Sequence, residues 1–205
     1  MSRFSALLIG VGGQGVLTVA QILGAAAHAA GLPVVVGQLH GMSQRGGTVQ
    51  CTVLIGDHES SFLSGDPDVV LAFEALEALR ALDRVGPKTR VLVNLSRIVP
   101  FELTREGKDY PAADMILAEL SGAAAEVHAV DGGALVRDIG EPRSLNVLLL
   151  GAAAGLGLFP IPERALWEAA LGRCDPAFLD SNRRAFAAGK DAVRAAPTRS
   201  QEATP

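Results

Sequence analysis

No aspartate or glutamate occurs before Asp57. The chain carries 22 acids in 205 residues, so an even spread would place about six in that stretch. An acid-free segment suits an anionic ligand or the acidic surface of a partner. Cysteine is scarce too: Cys51 and Cys174 are the only two, far apart in the chain. They cannot supply the four ligands of an iron–sulfur cluster or a structural zinc. They read as reduced, buried thiols of a cytoplasmic protein rather than as a disulfide. With one Trp and one Tyr, no aromatic cage is expected. The longest apolar run, Val147 to Phe159, is rich in glycine and too short to span a bilayer. The N-terminal apolar run breaks into glycines, which is not a secretory pattern. A net charge of −4 excludes a general nucleic-acid surface.

What is present is a chain with 49% apolar residues, ample for the core of one domain of about 200 residues. Its organising stretch is Gly10-Val11-Gly12-Gly13-Gln14-Gly15. Ala6-Leu7-Leu8-Ile9 before it reads as a buried strand, and Gln14 to Ala30 after it as a helix stopped by Gly31. A strand, a glycine loop and a helix together let backbone N–H groups receive an anion. The spacing also fits the dinucleotide fingerprint G-x-G-x-x-G. That fingerprint requires an acid at the end of the second strand for the ribose. Here Pro33-Val34-Val35-Val36 runs into Gly37-Gln38-Leu39-His40 with no acid, which argues against ordinary NAD binding. A tight turn that needs glycine only for its backbone is the plainer alternative.

The second polar stretch is His40-Gly41-Met42-Ser43-Gln44-Arg45-Gly46-Gly47, between two apolar strands. Arg45 offers a planar fork of donors for phosphate or carboxylate, and Gly46-Gly47 would let the backbone pass close to a ligand. The strand preceding this stretch and the strand preceding the first glycine loop are expected to be neighbours, so that both loops share one sheet edge. An exposed arginine on a surface loop is the alternative. Thr48 to Ile55 alternates, with Val49, Cys51, Val53 and Ile55 on one face, and so predicts a half-buried antiparallel strand. Asp68 to Phe73 and Thr89 to Asn94 read as buried strands, Glu126 to Asp131 as the last one. Helices are expected over 74–82, 112–122, 133–139, 146–156, 163–171 and 178–196. Glu74 reads equally as a helix cap and as a ligand-edge acid. His28 and His58 read as solvated, Trp167 as core. Residues 98–110 show no usable pattern. The expected whole is a single three-layer α/β/α domain, residues 1–196, with a Rossmann-like, mixed and mostly parallel sheet. Residues 197–205 are expected to be a disordered tail.

The two glycine stretches jointly resemble the gamma-type domain of 2-oxoacid:ferredoxin oxidoreductases, most of all the small beta subunit of the indolepyruvate members. The likeness covers roughly Phe4 to Arg194. The resemblance implies a complex that turns a 2-oxoacid, coenzyme A and oxidised ferredoxin into acyl-CoA, carbon dioxide and reduced ferredoxin. Thiamine diphosphate, magnesium and 4Fe-4S clusters would then belong to a larger alpha subunit. In this chain the one Asp-Gly pair, Asp131-Gly132, follows a valine and precedes no Asn pair, so no thiamine-diphosphate signature is present. The implied role is a subunit that is not catalytic alone and holds no cofactor of its own. Its Gly10, Gly12, Gly13, Gln14, Gly15, Ser43, Gln44, Arg45, Gly46 and Gly47 would form an anion edge for the phosphate end of coenzyme A. Indolepyruvate or another aryl pyruvate is the favoured substrate. A stand-alone NADP- or nucleotide-binding module and a purely structural scaffold subunit remain as alternatives.

Overall fold

The first strand, β1 (Phe4–Val11), has six buried residues in succession, because it lies inside the sheet, paired on both edges, and is covered on both faces. The computed structural model describes residues 3–40, 47–56, 63, 65–195 and 199–200. The chain continues through α1 (Val16–Ala29), β2 (Val34–His40), β3 (Thr48–Ile55), β4 (Val69–Ala72), α2 (Ala75–Arg80), β5 (Arg90–Asn94), α3 (Phe101–Glu106), α4 (Ala113–Ala123) and β6 (Glu126–Val130). It ends in α5 (Gly132–Ile139), α6 (Leu145–Gly155), α7 (Glu163–Leu171), α8 (Leu179–Ala195) and the two-residue β7 (Arg199–Ser200). The strands stand in the order β2-β3-β1-β4-β5-β6-β7. β1, β4, β5 and β6 run parallel, and β3 is antiparallel to both β1 and β2. The mixed, mostly parallel sheet and the antiparallel β3 agree with the expectation. The expected adjacency of β1 and β2 does not hold. β3 lies between them, pairing Val11 with Thr48 on one side and Val49 with His40 on the other. An alternating strand can pair on both edges, and the hairpin from β2 folds it back into that gap.

Two apolar layers sandwich the sheet. On one face Ala6, Leu8, Cys51, Val53 and Leu71 pack with residues of α1, α6 and α8. On the other, Leu7, Ile9, Val70 and Val91 pack with Ala75 and Ala78 of α2 and with Ile116 and Leu120 of α4. Seven residues of α6 are buried, since α8 covers its outer side. The backbones of α6 and α8 approach closely: a Cβ added at Gly151 would sit 2.1 Å from the Phe186 carbonyl oxygen, and one at Gly189 2.0 Å from that of Leu148. Among the described residues, no helix is long and apolar enough to cross a membrane.

Four local expectations are corrected. The first helix begins at Val16 rather than Gln14, because Gly15 caps it at φ 83°. The patternless stretch contains α3, whose first residue, Phe101, is 77% exposed; a six-residue helix with an outward Phe has no apolar stripe to read. Cys174 is half-buried, not buried. In the tail, Arg199 and Ser200 pair antiparallel with Val127 and Glu126, filling the edge that β6 leaves open; residues 201–205 lie outside the described residues. Trp167 is half-buried, its ring against Phe186 at 5.1 Å between centroids.

Candidate functional site

β1 ends where three parallel strands end, and the glycine turn is built at that edge. Gly13 and Gly15 hold φ of 101° and 83°, a left-handed backbone that L side chains rarely adopt. Gly10 has no room for a side chain: a Cβ there would lie 2.7 Å from Phe73 Cβ and 2.9 Å from Val16 Cγ2. Gln14 locks the turn with both ends of its amide. Its Oε1 accepts from the Val11 N–H at 2.8 Å, and its Nε2 donates to the Phe73 carbonyl, just past β4, at 2.9 Å. The Gly12 N–H donates to the Gly47 carbonyl at 3.0 Å. The last glycine of the second motif therefore touches the first.

α1 starts from this turn with no acid in its first turn and no side-chain cap on its N–H groups, which leaves the positive end of the helix dipole without a side-chain cap among the described residues. The start of α6 stands beside it. A Cβ on Gly15 would meet Asn146 Nδ2 at 2.7 Å. Between these helix starts lies a hollow of about 130 Å³ whose lining includes Thr18, Asn146, Ser144, Arg143 and Arg173. Arg143 is bound to Glu141 at 2.8 Å, and its guanidinium holds that carboxyl below the usual range. Arg173 is spanned to Gln21 Oε1 at 2.7 Å.

The same edge continues across the sheet. Asn94, at the end of β5, donates from Nδ2 to the Phe73 carbonyl at 2.9 Å. Its Oδ1 accepts from the Gly132 N–H at 3.0 Å and from Ser96 Oγ at 3.2 Å. Two amides, Gln14 and Asn94, thus meet on one carbonyl and tie together the ends of four strands. Glu74 belongs to structure rather than to the ligand edge. It is fully buried, and its carboxylate accepts from the Glu77 N–H, the Ile98 N–H and the Tyr110 hydroxyl. Burial, then the hydrogen bond to that carboxylate, push the Tyr110 phenol well above its ordinary range.

Of the sequence-predicted site residues, the structure brings Gly10, Gly12, Gly13, Gln14 and Gly15 into one turn and joins Gly47 to it. Ser43, Gln44, Arg45 and Gly46 lie outside the described residues. Sequence reasoning missed Asn94 and Asn146. The signal for Asn94 was available: a polar residue closing a buried parallel strand faces the edge where loops gather. Among the described residues, no group of three or more His, Cys, Asp or Glu stands together that could hold a metal ion.

Residues 5–192 match the family model described as pyruvate ferredoxin/flavodoxin oxidoreductase. The chain is similar to the indolepyruvate oxidoreductase subunit IorB of Methanothermobacter thermautotrophicus, 37% identical over 188 residues, covering 91% of this chain and 96% of that one. The fold is similar to that of a keto/oxoacid ferredoxin oxidoreductase gamma subunit from Geobacter sulfurreducens, with a TM-score of 0.74, 24% identity and coverage of 96% and 99%. It is also similar to part of a 2-oxoglutarate:ferredoxin oxidoreductase from Magnetococcus marinus, a structure with 2-oxoglutarate, coenzyme A and succinyl-CoA bound. There the TM-score is 0.72 at 23% identity, covering 96% of this chain and 32% of that one.

Proposed function

Because the chain belongs to the pyruvate ferredoxin/flavodoxin oxidoreductase family, we propose that its glycine edge receives the phosphate end of coenzyme A during oxidative decarboxylation of an aryl pyruvate. The chain is the small subunit of a 2-oxoacid:ferredoxin oxidoreductase. Indolepyruvate is the substrate named for the IorB relative, and the likeness to it supports an aryl pyruvate here. The larger partner subunit carries thiamine diphosphate, magnesium and the 4Fe-4S clusters. Two cysteines do not fit a cluster that needs four thiolates, so no step of the electron transfer runs through this chain's residues. What they do is bind and orient: uncapped N–H groups and a cation hold an anionic end while chemistry proceeds on the partner.

The observation that carries this reading is the Gly12 to Gly47 hydrogen bond. It joins the end of the second motif to the turn that starts α1, and Arg45 stands two positions before Gly47 in the chain. The Magnetococcus relative of the same fold is a coenzyme A complex, which supports the ligand class. The test is Arg45→Ala in the complex purified with its larger subunit. A charge-assisted hydrogen bond contributes about 1.5–3 kcal/mol, so the Michaelis constant for coenzyme A is expected to rise roughly 10- to 150-fold. The constant for the 2-oxoacid is expected to stay put, and Arg45→Lys to recover part of the loss. Weakened co-purification with unchanged coenzyme A kinetics would instead make Arg45 a docking residue.

A further inference from the structure

Remote from the glycine edge, α7 and α8 enclose a groove of about 470 Å³, within the range of about 300–1,000 Å³ that small-molecule sites occupy. Its lining includes Ala187, half-buried Trp167 and buried Phe186. Trp167 and Phe186 lie 5.1 Å apart between centroids, tilted by 51°. Arg164, Arg183, Lys190 and Arg194 also line it. Three of these four cations are answered within the chain. Lys190 pairs with Glu163, Arg164 binds Glu168 at 2.7 Å, and Arg194 lies 3.9 Å from Asp191. Arg183 has no hydrogen bond or ion pair with any described residue, and the indole N–H of Trp167 has no acceptor among them. The lining holds four cations against two acids, Glu163 and Asp191, a surplus that Arg183 accounts for in part.

We propose that this groove is a binding site for an aromatic anion: a flat apolar ring seated on Trp167, which buried Phe186 backs from behind, with its anionic oxygens on the Arg183 guanidinium. Ring stacking and a charge-assisted bond to arginine are the two contacts the groove leaves open. No residue of the glycine edge lines it, so the inference stands apart from the coenzyme A reading. The anion's source is an aryl carboxylate or a nucleotide phosphate, and two probes separate them.

Trp167 is the only tryptophan, so indole emission, excited on the red edge where tyrosine does not absorb, reports on the groove. The chain is titrated with phenylacetate in one arm and adenosine monophosphate in the other. A saturable change with either probe is expected. Arg183→Ala is expected to weaken that binding by about 10-fold or more, with Arg183→Lys between the two. Arg184→Ala, whose wild-type side chain pairs with Asp180 at 3.0 Å outside the groove, is expected to bind as wild type. Saturation by phenylacetate alone assigns a carboxylate ligand, and by the nucleotide alone a phosphate. Linear, unsaturated changes with both probes, or equal affinity in wild type and Arg183→Ala, would overturn the proposal.

Discussion

At the scale of single residues, the two cysteines separate by environment. Cys51 is fully buried on β3, and burial pushes its thiol up to about 11. The thiolate is the reactive form, and a shift of that size leaves about a hundredfold less of it than an ordinary cysteine has at neutral pH. Native chain treated with iodoacetamide is expected to take one label, at half-exposed Cys174, and unfolded chain two; mass spectrometry counts them. The sign of the linkage follows. A thiol whose folded pKa is raised adds stability at pH values below its unfolded pKa, and that stability is lost as pH climbs from about 8.5 toward about 11. Cys51→Val is expected to remove this alkaline decline in urea-unfolding stability. Glu74 shows why some residues are illegible in sequence. As cap and as ligand-edge acid it looks the same from its neighbours. Its partners Ile98 and Tyr110 stand 24 and 36 positions away, in the stretch that shows no periodicity because a buried carboxylate, rather than an apolar stripe, anchors it.

At the scale of elements, the glycines of α6 and α8 set how near the two helices lie. Gly189→Ala gains about 1 kcal/mol of helix propensity, yet its methyl would meet the Leu148 carbonyl oxygen at 2.0 Å. Overpacking of this kind costs about 1–3 kcal/mol. Destabilisation is therefore expected, whereas Gly122→Ala in α4, where an added Cβ meets nothing within 4 Å, is expected to stabilise by about 0.5–1 kcal/mol. Urea titrations of the two variants should shift in opposite directions. Strand and helix types were largely legible, since β3 alternates and α6 is apolar all round. Strand order was not. Nothing in the alternation of Thr48 to Ile55 says which of two neighbours it pairs with, and it pairs with both. Of the second glycine motif, Gly47 is brought to the turn because β3 starts beside the end of β1, with Thr48 opposite Val11, and not because β1 and β2 are neighbours; Gly41 to Gly46 lie outside the described residues.

At the scale of the whole molecule, the glycine edge holds backbone donors and locked amides but, among the described residues, no paired acid and base free to act. Glu74 is spent on three donors, and the hollow's Glu141 on Arg143. The isolated chain is expected to turn over no 2-oxoacid with methyl viologen as acceptor, whereas the chain reunited with its larger subunit is expected to do so. Turnover by the single chain would sink the reading of a subunit that binds and orients. The position of β1 has a further consequence, in the order of synthesis. β1 leaves the ribosome before either strand it pairs with, since β3 and β4 are completed only at Ile55 and Ala72. Until β3 emerges, Ala6-Leu7-Leu8-Ile9 has no sheet to enter, and a nascent chain stalled before Thr48 carries this buried strand with both edges unpaired. The turn that follows β1 is likewise unfinished at that stage: Phe73 supplies the carbonyl that fixes Gln14, so the glycine turn can be locked only after Phe73 has emerged.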